Sequence, residues 1–203
     1  MNILIDPLPT SVEIDNEQYE INSDFRTAII FEMLMQDEEV DEYDKIFTAL
    51  ELFYPVIPTN LQEAIDKIMW FYAGEVNNVN NSVGKGVTKS EQQYNYEYDA
   101  DYIFAAFLDQ YGIDLNEIEY IHWWKFKALF KNLKEDNLIV KIMQYRSIDL
   151  RKIKDKEEQK RYKELKELYK IPVSKTEIEK KNEIDECLKN GGDINEILKK
   201  VIK

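Results

Sequence analysis

The stretch "YIHWWKFKALF", residues 120–130, contains the only histidine of the chain, His122, and two of its three tryptophans. On a helix, the aromatic and aliphatic side chains of this stretch cover nearly the full circumference, which is typical of a helix buried on most sides. Its lysine stems can lie over apolar neighbours while their charges reach water. The stretch therefore predicts a central core helix at about 115–133, with His122 at its edge and one tryptophan exposed for a partner.

The residues upstream of this helix predict a hairpin and three helices. The segment "SVEIDNEQYEI", residues 11–21, alternates apolar and polar side chains around a turn-prone "DNEQ", which indicates a short β-hairpin. Ser23 or Asp24 then caps the first helix. Pro55 ends the second helix because proline cannot continue it. The three helices are predicted at about 24–36, 41–54 and 60–72.

The C-terminal side is also mainly helical by its pattern. The alternation in "YNYEY", residues 94–98, predicts a short strand. Asp99 or Asp101 then caps a helix that ends at Tyr111, with Gly112 just beyond its end. Further helices are predicted at about 115–133, 135–146 and 154–170, followed by a last short one that begins after Asp193.

These elements predict a mainly α fold (α+β at most), a compact helical bundle with a short N-terminal β-hairpin. The expected organisation has four parts. Residues 1–72 form an N-terminal unit of hairpin and helices, and residues 94–170 form a C-terminal helical unit that packs on the first. Residues 73–93, rich in Gly, Asn and Ser, form a loop or linker. Residues 171–203 form a helical tail.

The charge of the chain is unevenly distributed. Its net charge is -13, but residues 1–120 hold 5 basic and 25 acidic side chains, whereas residues 121–203 hold 22 and 15. This split indicates attraction between the two halves, within one chain or between chains. Broad nucleic-acid binding is not expected, because the acidic half would repel phosphates.

Other composition signals predict a protein of the cytoplasm. No apolar run approaches the roughly 20 residues that a membrane-spanning helix needs. The N-terminus lacks the basic region of a signal peptide, so none is expected. The single cysteine, Cys187, cannot form an internal disulfide, which fits a reducing compartment.

The residues that could carry out chemistry do not form a recognisable active site. One histidine and one cysteine cannot make a His/Cys zinc cage within this chain, and no nucleophile or cofactor motif is present. The carboxylates Glu97, Asp99, Asp101 and Asp109 lie close together in the sequence, and clusters of oxygen atoms suit hard cations. Acids just before a helix also stabilise its N-terminus, and we favour that interpretation. We therefore predict no catalytic residues, no metal and no cofactor.

Several amphipathic features instead indicate protein partners. The charged helix at 154–170 has a narrow apolar stripe, and Arg146 can clamp a carboxylate or tether a turn to carbonyl oxygens. The last short helix cannot hold itself in water and must bury its stripe against its own core or a partner. The predicted partner-binding residues are Trp123, Tyr145, Arg146, Tyr162, Leu165, Tyr169, Ile194, Ile197, Leu198 and Val201.

Five segments together resemble the Gp15-type family of tailed phages and prophages of Gram-positive bacteria. They are "ILIDPLPTSVEID…YEINSDFRTAIIFE", "ALELFYP", "YEYDADYIFAAFLDQYGIDL", "HWWKFKALF" and "YRSIDLRKIKDKE", which span about residues 1–170.

This resemblance implies a tail-morphogenesis protein encoded near the tape measure protein and acting in the cytoplasm of the bacterial host. Its implied role is that of a non-enzymatic tail assembly chaperone. Its expected partners are the tape measure protein, docked as a helix in a groove, and tail tube subunits. The alternative is a structural or connector component of the tail or virion. Nucleic acid and membrane are not expected partners.

The central helix carries the first testable prediction. Trp124→Ala is expected mainly to lower the free energy of unfolding, because removing a large core side chain leaves a cavity. Chemical denaturation measures this loss. Unchanged stability together with abolished partner binding would contradict it and make the indole an anchor.

Overall fold

The computed structural model describes residues 2–74 and 92–172. The regular elements of these residues are seven α-helices and a two-stranded antiparallel hairpin. Within these residues, one 3₁₀ turn, Leu150–Lys152, lies just before the seventh helix. The predicted fold class is confirmed. In chain order the elements are β1 Ser11–Ile14, β2 Glu17–Glu20, α1 Phe25–Gln36, α2 Glu42–Phe53, α3 Leu61–Ala73, α4 Ala100–Tyr111, α5 Trp123–Lys131, α6 Leu138–Ser147 and α7 Lys156–Leu168.

The hairpin turns through Asp15 and Asn16, the first two of the four turn-prone residues, and the other two, Glu17 and Gln18, belong to β2. Asp15 and Asn16 have φ of 50° and 64°, which is the geometry of a type I′ turn and suits the right-handed twist of the strands. Val12 and Ile14 point to one face and are buried. The hairpin thus adds apolar side chains to the helical core.

Helix boundaries follow from side chains that cap the ends. Asp24, Asp41 and Asn60 each accept a hydrogen bond from a backbone N–H in the first turn of α1, α2 and α3. Such caps satisfy donors that have no partner inside the helix. Gly112 ends α4 in the left-handed region with φ of 65°, where glycine has no Cβ to strain. The predictions for Asp24 and Gly112 are confirmed.

The predicted strand at residues 94–98 is wrong. Residues 92–95 have no regular structure and residues 96–99 form a turn. The side-chain oxygen of Asn95 accepts from the N–H groups of Glu97 and Tyr98, at 2.8 and 3.0 Å. Asparagine side chains compete with sheet pairing in this way.

The predicted start of the central helix at about residue 115 is also wrong, because α5 begins at Trp123. Asp114 accepts hydrogen bonds from the N–H groups of Asn116 and Glu117 and so closes a turn. The chain then pairs with the N-terminus of α1 through an isolated bridge before it becomes helical. The apolar residues of 115–122 therefore lie in a turn and in the short non-helical segment that follows it, and not in a helix.

The core is continuous around Phe126 on α5. This ring is fully buried and stacks on Phe25 of α1 and Phe107 of α4, with ring centroids 4.8 and 4.9 Å apart. Aromatic rings supply much of the apolar area that a small core buries. The described residues up to Ile171 form one compact unit. Residues 75–91 and 173–203 lie outside the described residues, so the predicted division into four parts stays a prediction.

A buried ion pair holds the C-terminal helices in place. Arg146 on α6 donates to both carboxylate oxygens of Asp99 at the start of α4, at 2.5 and 2.9 Å. The guanidinium also donates to the carbonyl oxygens of Gln93 and Tyr169, at 3.0 and 2.6 Å. Four hydrogen bonds from one side chain therefore join the segment before α4, α6 and the end of α7.

This ion pair gives the second prediction. Asp99→Asn removes the charge but keeps the shape, so it leaves a buried guanidinium unpaired and should lower the free energy of unfolding by about 3–5 kcal/mol. Urea unfolding measures the change. The matched control is Asp149→Asn, which breaks an exposed pair with Arg151 and should leave stability unchanged. Equal effects of the two variants would contradict the structural role of the buried pair.

Candidate partner-binding site

The two adjacent tryptophans of α5 close the C-terminal end of α3. The indole N–H of Trp123 donates to the carbonyl oxygen of Tyr72 at 2.9 Å, and that of Trp124 donates to the carbonyl oxygen of Phe71 at 2.7 Å. The last carbonyl groups of a helix have no partner within it. The indoles therefore satisfy acceptors that burial would otherwise leave unpaired.

Lys127 completes this arrangement one helical turn later. Its ammonium group donates to the carbonyl oxygens of Tyr72 and Ala73, at 3.0 and 2.6 Å. A cation is favourable at the C-terminus of a helix because the macrodipole is negative there. Gly74, with φ of 72°, follows directly, and a Cβ on it would lie 3.4 Å from the ammonium. We call Trp123, Trp124, Lys127 and the carbonyl groups that they bind the α3–α5 junction.

The position of α5 is fixed by the N-terminus of α1. The N–H of Phe25 donates to the carbonyl of Ile121, and the N–H of Trp123 donates to the carbonyl of Ser23, each at 2.9 Å. One carboxylate oxygen of Asp24 caps α1, and the other accepts from the N–H of Ile121 at 3.1 Å. These contacts place the first turn of α5 where its indoles can reach α3.

His122 is the N-cap of α5, and both of its ring nitrogens have hydrogen-bond partners. Its Nδ1 accepts from the N–H of Trp124 at 3.0 Å, and its Nε2 lies 3.0 Å from the carbonyl oxygen of Pro9. These partners require the neutral ring with the proton on Nε2, which donates to Pro9. Burial lowers the pKa of His122, the carbonyl of Pro9 opposes this shift, and Lys125 adds to it.

An open, mostly apolar pocket of about 660 Å³ lies beside the α3–α5 junction. This volume is within the roughly 300–1,000 Å³ of pockets that bind small molecules or side chains. It lies between the end of α3, one side of α5, the segment before α4 and the facing side of α6. Its lining includes Tyr94, Tyr96, Trp123, Phe130, Val140 and Met143.

The charged groups of the pocket are mainly positive. Lys127 and Lys131 both line it. Burial lowers the pKa of Lys127, whereas Glu32 raises it and Lys131 lowers it further. Glu32 accepts a short hydrogen bond from the hydroxyl of Tyr72, and burial raises the pKa of its carboxyl group. The arrangement suits apolar side chains that carry a carboxylate next to them.

The carboxylates singled out from the sequence do not converge. Asp99 occupies the N-cap position of α4, but its side chain makes no capping bond and instead binds Arg146. Its predicted role as a side-chain cap is therefore wrong. Within residues 2–74 and 92–172, no group of three or more His, Cys, Asp or Glu side chains is arranged to hold a metal ion. No helix in these ranges is long and apolar enough to cross a bilayer.

The predicted partner-binding residues fall into three groups: Trp123 and Arg146, the residues that pack around α7, and those outside the described residues. The expectation of an exposed tryptophan in the pair is wrong, because Trp123 and Trp124 are both buried. Trp123 nevertheless forms part of the pocket wall, and Arg146 is buried against Asp99. That any of these residues contacts a partner stays a prediction.

The remaining predicted residues lie near the C-terminus. Tyr145 packs against Tyr162 and Tyr169, with ring centroids 6.2 and 6.0 Å apart, and Leu165 is half-buried on α7. The last four fall outside the described residues: Ile194, Ile197, Leu198 and Val201.

Sequence reasoning missed the pocket itself. Tyr94 and Tyr96 lie in the predicted strand, and Val140 and Met143 lie in the helix predicted at about 135–146. The unusual density of tyrosine in "YNYEY" was a signal, because tyrosine provides apolar area with a polar tip that suits partly wet surfaces. No local pattern, however, indicates that this segment faces α6 across an opening.

The described residues form a mainly helical protein. Hydrogen bonds from polar side chains connect its helices, and an open apolar pocket lies between them. A family model described as Bacteriophage Gp15 protein matches residues 4–171, most of the chain. The chain belongs to this family, which makes it a phage structural or morphogenesis protein and confirms the resemblance seen in the sequence. No curated protein and no solved structure matches the chain.

His122 gives the third prediction. Because the folded state lowers its pKa from 6.5, the unfolded state takes up a proton first as the pH falls, and stability is lost below about pH 6.5. His122→Asn keeps a side-chain acceptor at the N-cap but cannot titrate. The excess stability of the native protein over the variant should be constant above about pH 7 and should shrink below about pH 6.5. Thermal unfolding as a function of pH measures it, and parallel curves would contradict the role of the neutral ring.

Proposed function

We propose that this protein is a non-enzymatic tail assembly chaperone that binds the tape measure protein during tail morphogenesis. Membership of the Gp15 family supports the general class, a phage structural or morphogenesis protein. The observation that carries the finer proposal is the open apolar pocket beside the α3–α5 junction. An open apolar pocket can bind apolar side chains of a client without a change in the fold of the protein.

The client segment is a helix with apolar side chains on one face. In helix-in-groove recognition, residues spaced three and four apart insert into an apolar site. The pocket offers aromatic walls for such side chains, and Lys131 at its edge is exposed and can pair with a neighbouring acid. Tyr94 and Phe130, whose rings meet at 5.2 Å, form a firm wall for an inserted side chain.

The side chains that could carry out chemistry support a binding role. His122 caps a helix, Asp99 binds Arg146, and Lys127 binds the end of α3. These groups serve the fold. The proposed site of action is the cytoplasm of the bacterial host, where tail tube subunits are a second expected partner.

The fourth prediction tests the pocket. Ala128 lines it and is half-buried on α5. Ala128→Glu fills the opening with a charged chain and should reduce retention of co-expressed tape measure fragments by at least about tenfold, equivalent to about 1.4 kcal/mol. The matched control is Ala100→Glu, the same change at the exposed start of α4, which should leave retention unchanged.

Two outcomes would contradict this proposal. One is that the native protein retains no tape measure fragment in the pull-down. The other is that the two glutamate variants retain fragments equally well. Circular dichroism of both variants checks that they are folded. Stoichiometric presence of the protein in purified tails would replace the chaperone role with that of a structural or connector component.

A further inference from the structure

The outward face of α2 carries an apolar stripe that the core does not use. Tyr43, Ile46 and Phe47 are 75%, 40% and 54% exposed. Their spacing of three and four residues makes them neighbours on the helix surface. Further along α2, Leu50 and Phe53 are fully buried in the core. We call Tyr43, Ile46 and Phe47 the outer stripe of α2.

Acidic side chains border this stripe. Asp44 and Glu51 lie three residues before and four residues after Phe47, so they flank it on the helix surface. Both are exposed, and neither has an ion-pair partner within the described parts of the chain. The segment 37–44, which leads into α2, contains six acids and no lysine or arginine. The stripe is therefore an apolar ridge in a negative field.

We propose that the outer stripe of α2 binds a basic amphipathic helix of another protein. An exposed ridge of side chains at helical spacing packs into the groove of a second helix. A partner with lysine or arginine beside its apolar face places cations next to Asp44 and Glu51. Such complementarity speeds association and disfavours partners of the wrong charge.

A second copy of this chain is the less suitable occupant. Two copies related by a two-fold axis present the same patch to each other. The outer stripe would then bring Asp44 and Glu51 close to the same acids of the other copy. Like charges facing each other across an interface are costly, so charge selects a different, basic partner.

This proposal is independent of the tape measure hypothesis. No residue of α2 lines the pocket, and the test below uses no tape measure fragment. The protein therefore has two binding surfaces of opposite charge, the lysine-edged pocket and the acid-bordered stripe.

The experiment measures binding of two fluorescent peptides to the full chain by fluorescence anisotropy. One is a leucine–lysine amphipathic helix of about 18 residues, or five turns, and the other is its leucine–glutamate counterpart. The outer stripe should bind the lysine peptide, whereas any binding of the glutamate peptide should occur at the lysine-edged pocket and should not respond to changes in the stripe. Phe47→Ser and the double variant Asp44→Lys/Glu51→Lys should each weaken binding of the lysine peptide by at least about tenfold, because one removes the apolar ridge and the other inverts the field.

Matched controls separate the stripe from general charge attraction. Asp109→Lys/Glu117→Lys changes the net charge by the same amount at exposed positions elsewhere, and Leu168→Ser removes an exposed apolar side chain from α7. Both should retain native affinity within about twofold. Equal weakening by the two charge variants, or no effect of Phe47→Ser, overturns the proposal. It is also overturned if light scattering shows that the stripe variants abolish dimerisation and the lysine peptide does not compete.

Discussion

Hydrogen bonding at the C-terminal end of α3 is the constraint on which the rest of this structure depends. The carbonyl groups of Phe71 and Tyr72 near the end of this helix are buried or partly buried, and unpaired buried carbonyls cost stability. Trp123, Trp124 and Lys127 supply four donors to these groups and to the carbonyl group of Ala73. They can do so only if α5 starts at Trp123, which the bridge to α1 and the His122 cap ensure. These contacts connect α1, α3 and α5 at the α3–α5 junction.

The same constraint explains why a pocket lies next to so dense a core. The indoles turn toward α3 to donate their hydrogen bonds, and Phe126 stacks inward on α1 and α4. The outer side of α5, where Ala128 and Phe130 lie, is therefore left facing α6 across an opening. A frame with firmly bonded walls suits reversible binding of a client, because little of the protein must become ordered when the client binds.

Some local features of the fold were predictable from the sequence, and long-range features were not. The hairpin turn at Asp15 and the cap at Asp24 follow from the preferences of single residues for particular backbone conformations. The start of α5 did not follow, because apolar spacing alone cannot separate a helix from a turn followed by a non-helical segment. The pair between Asp99 and Arg146 joins residues 47 positions apart, and no local pattern encodes such a distance. The pocket was missed for the same reason.

The indole N–H protons provide the most direct measurement of the α3–α5 junction. The chain has three tryptophans, and Trp70 is 42% exposed. The ¹H–¹⁵N spectrum should show two indole protons, from Trp123 and Trp124, that exchange slowly with solvent, and one, from Trp70, that exchanges fast. Trp70→Phe assigns the third signal. Fast exchange of all three indole protons would show that α3 is not closed by α5 and would contradict the account.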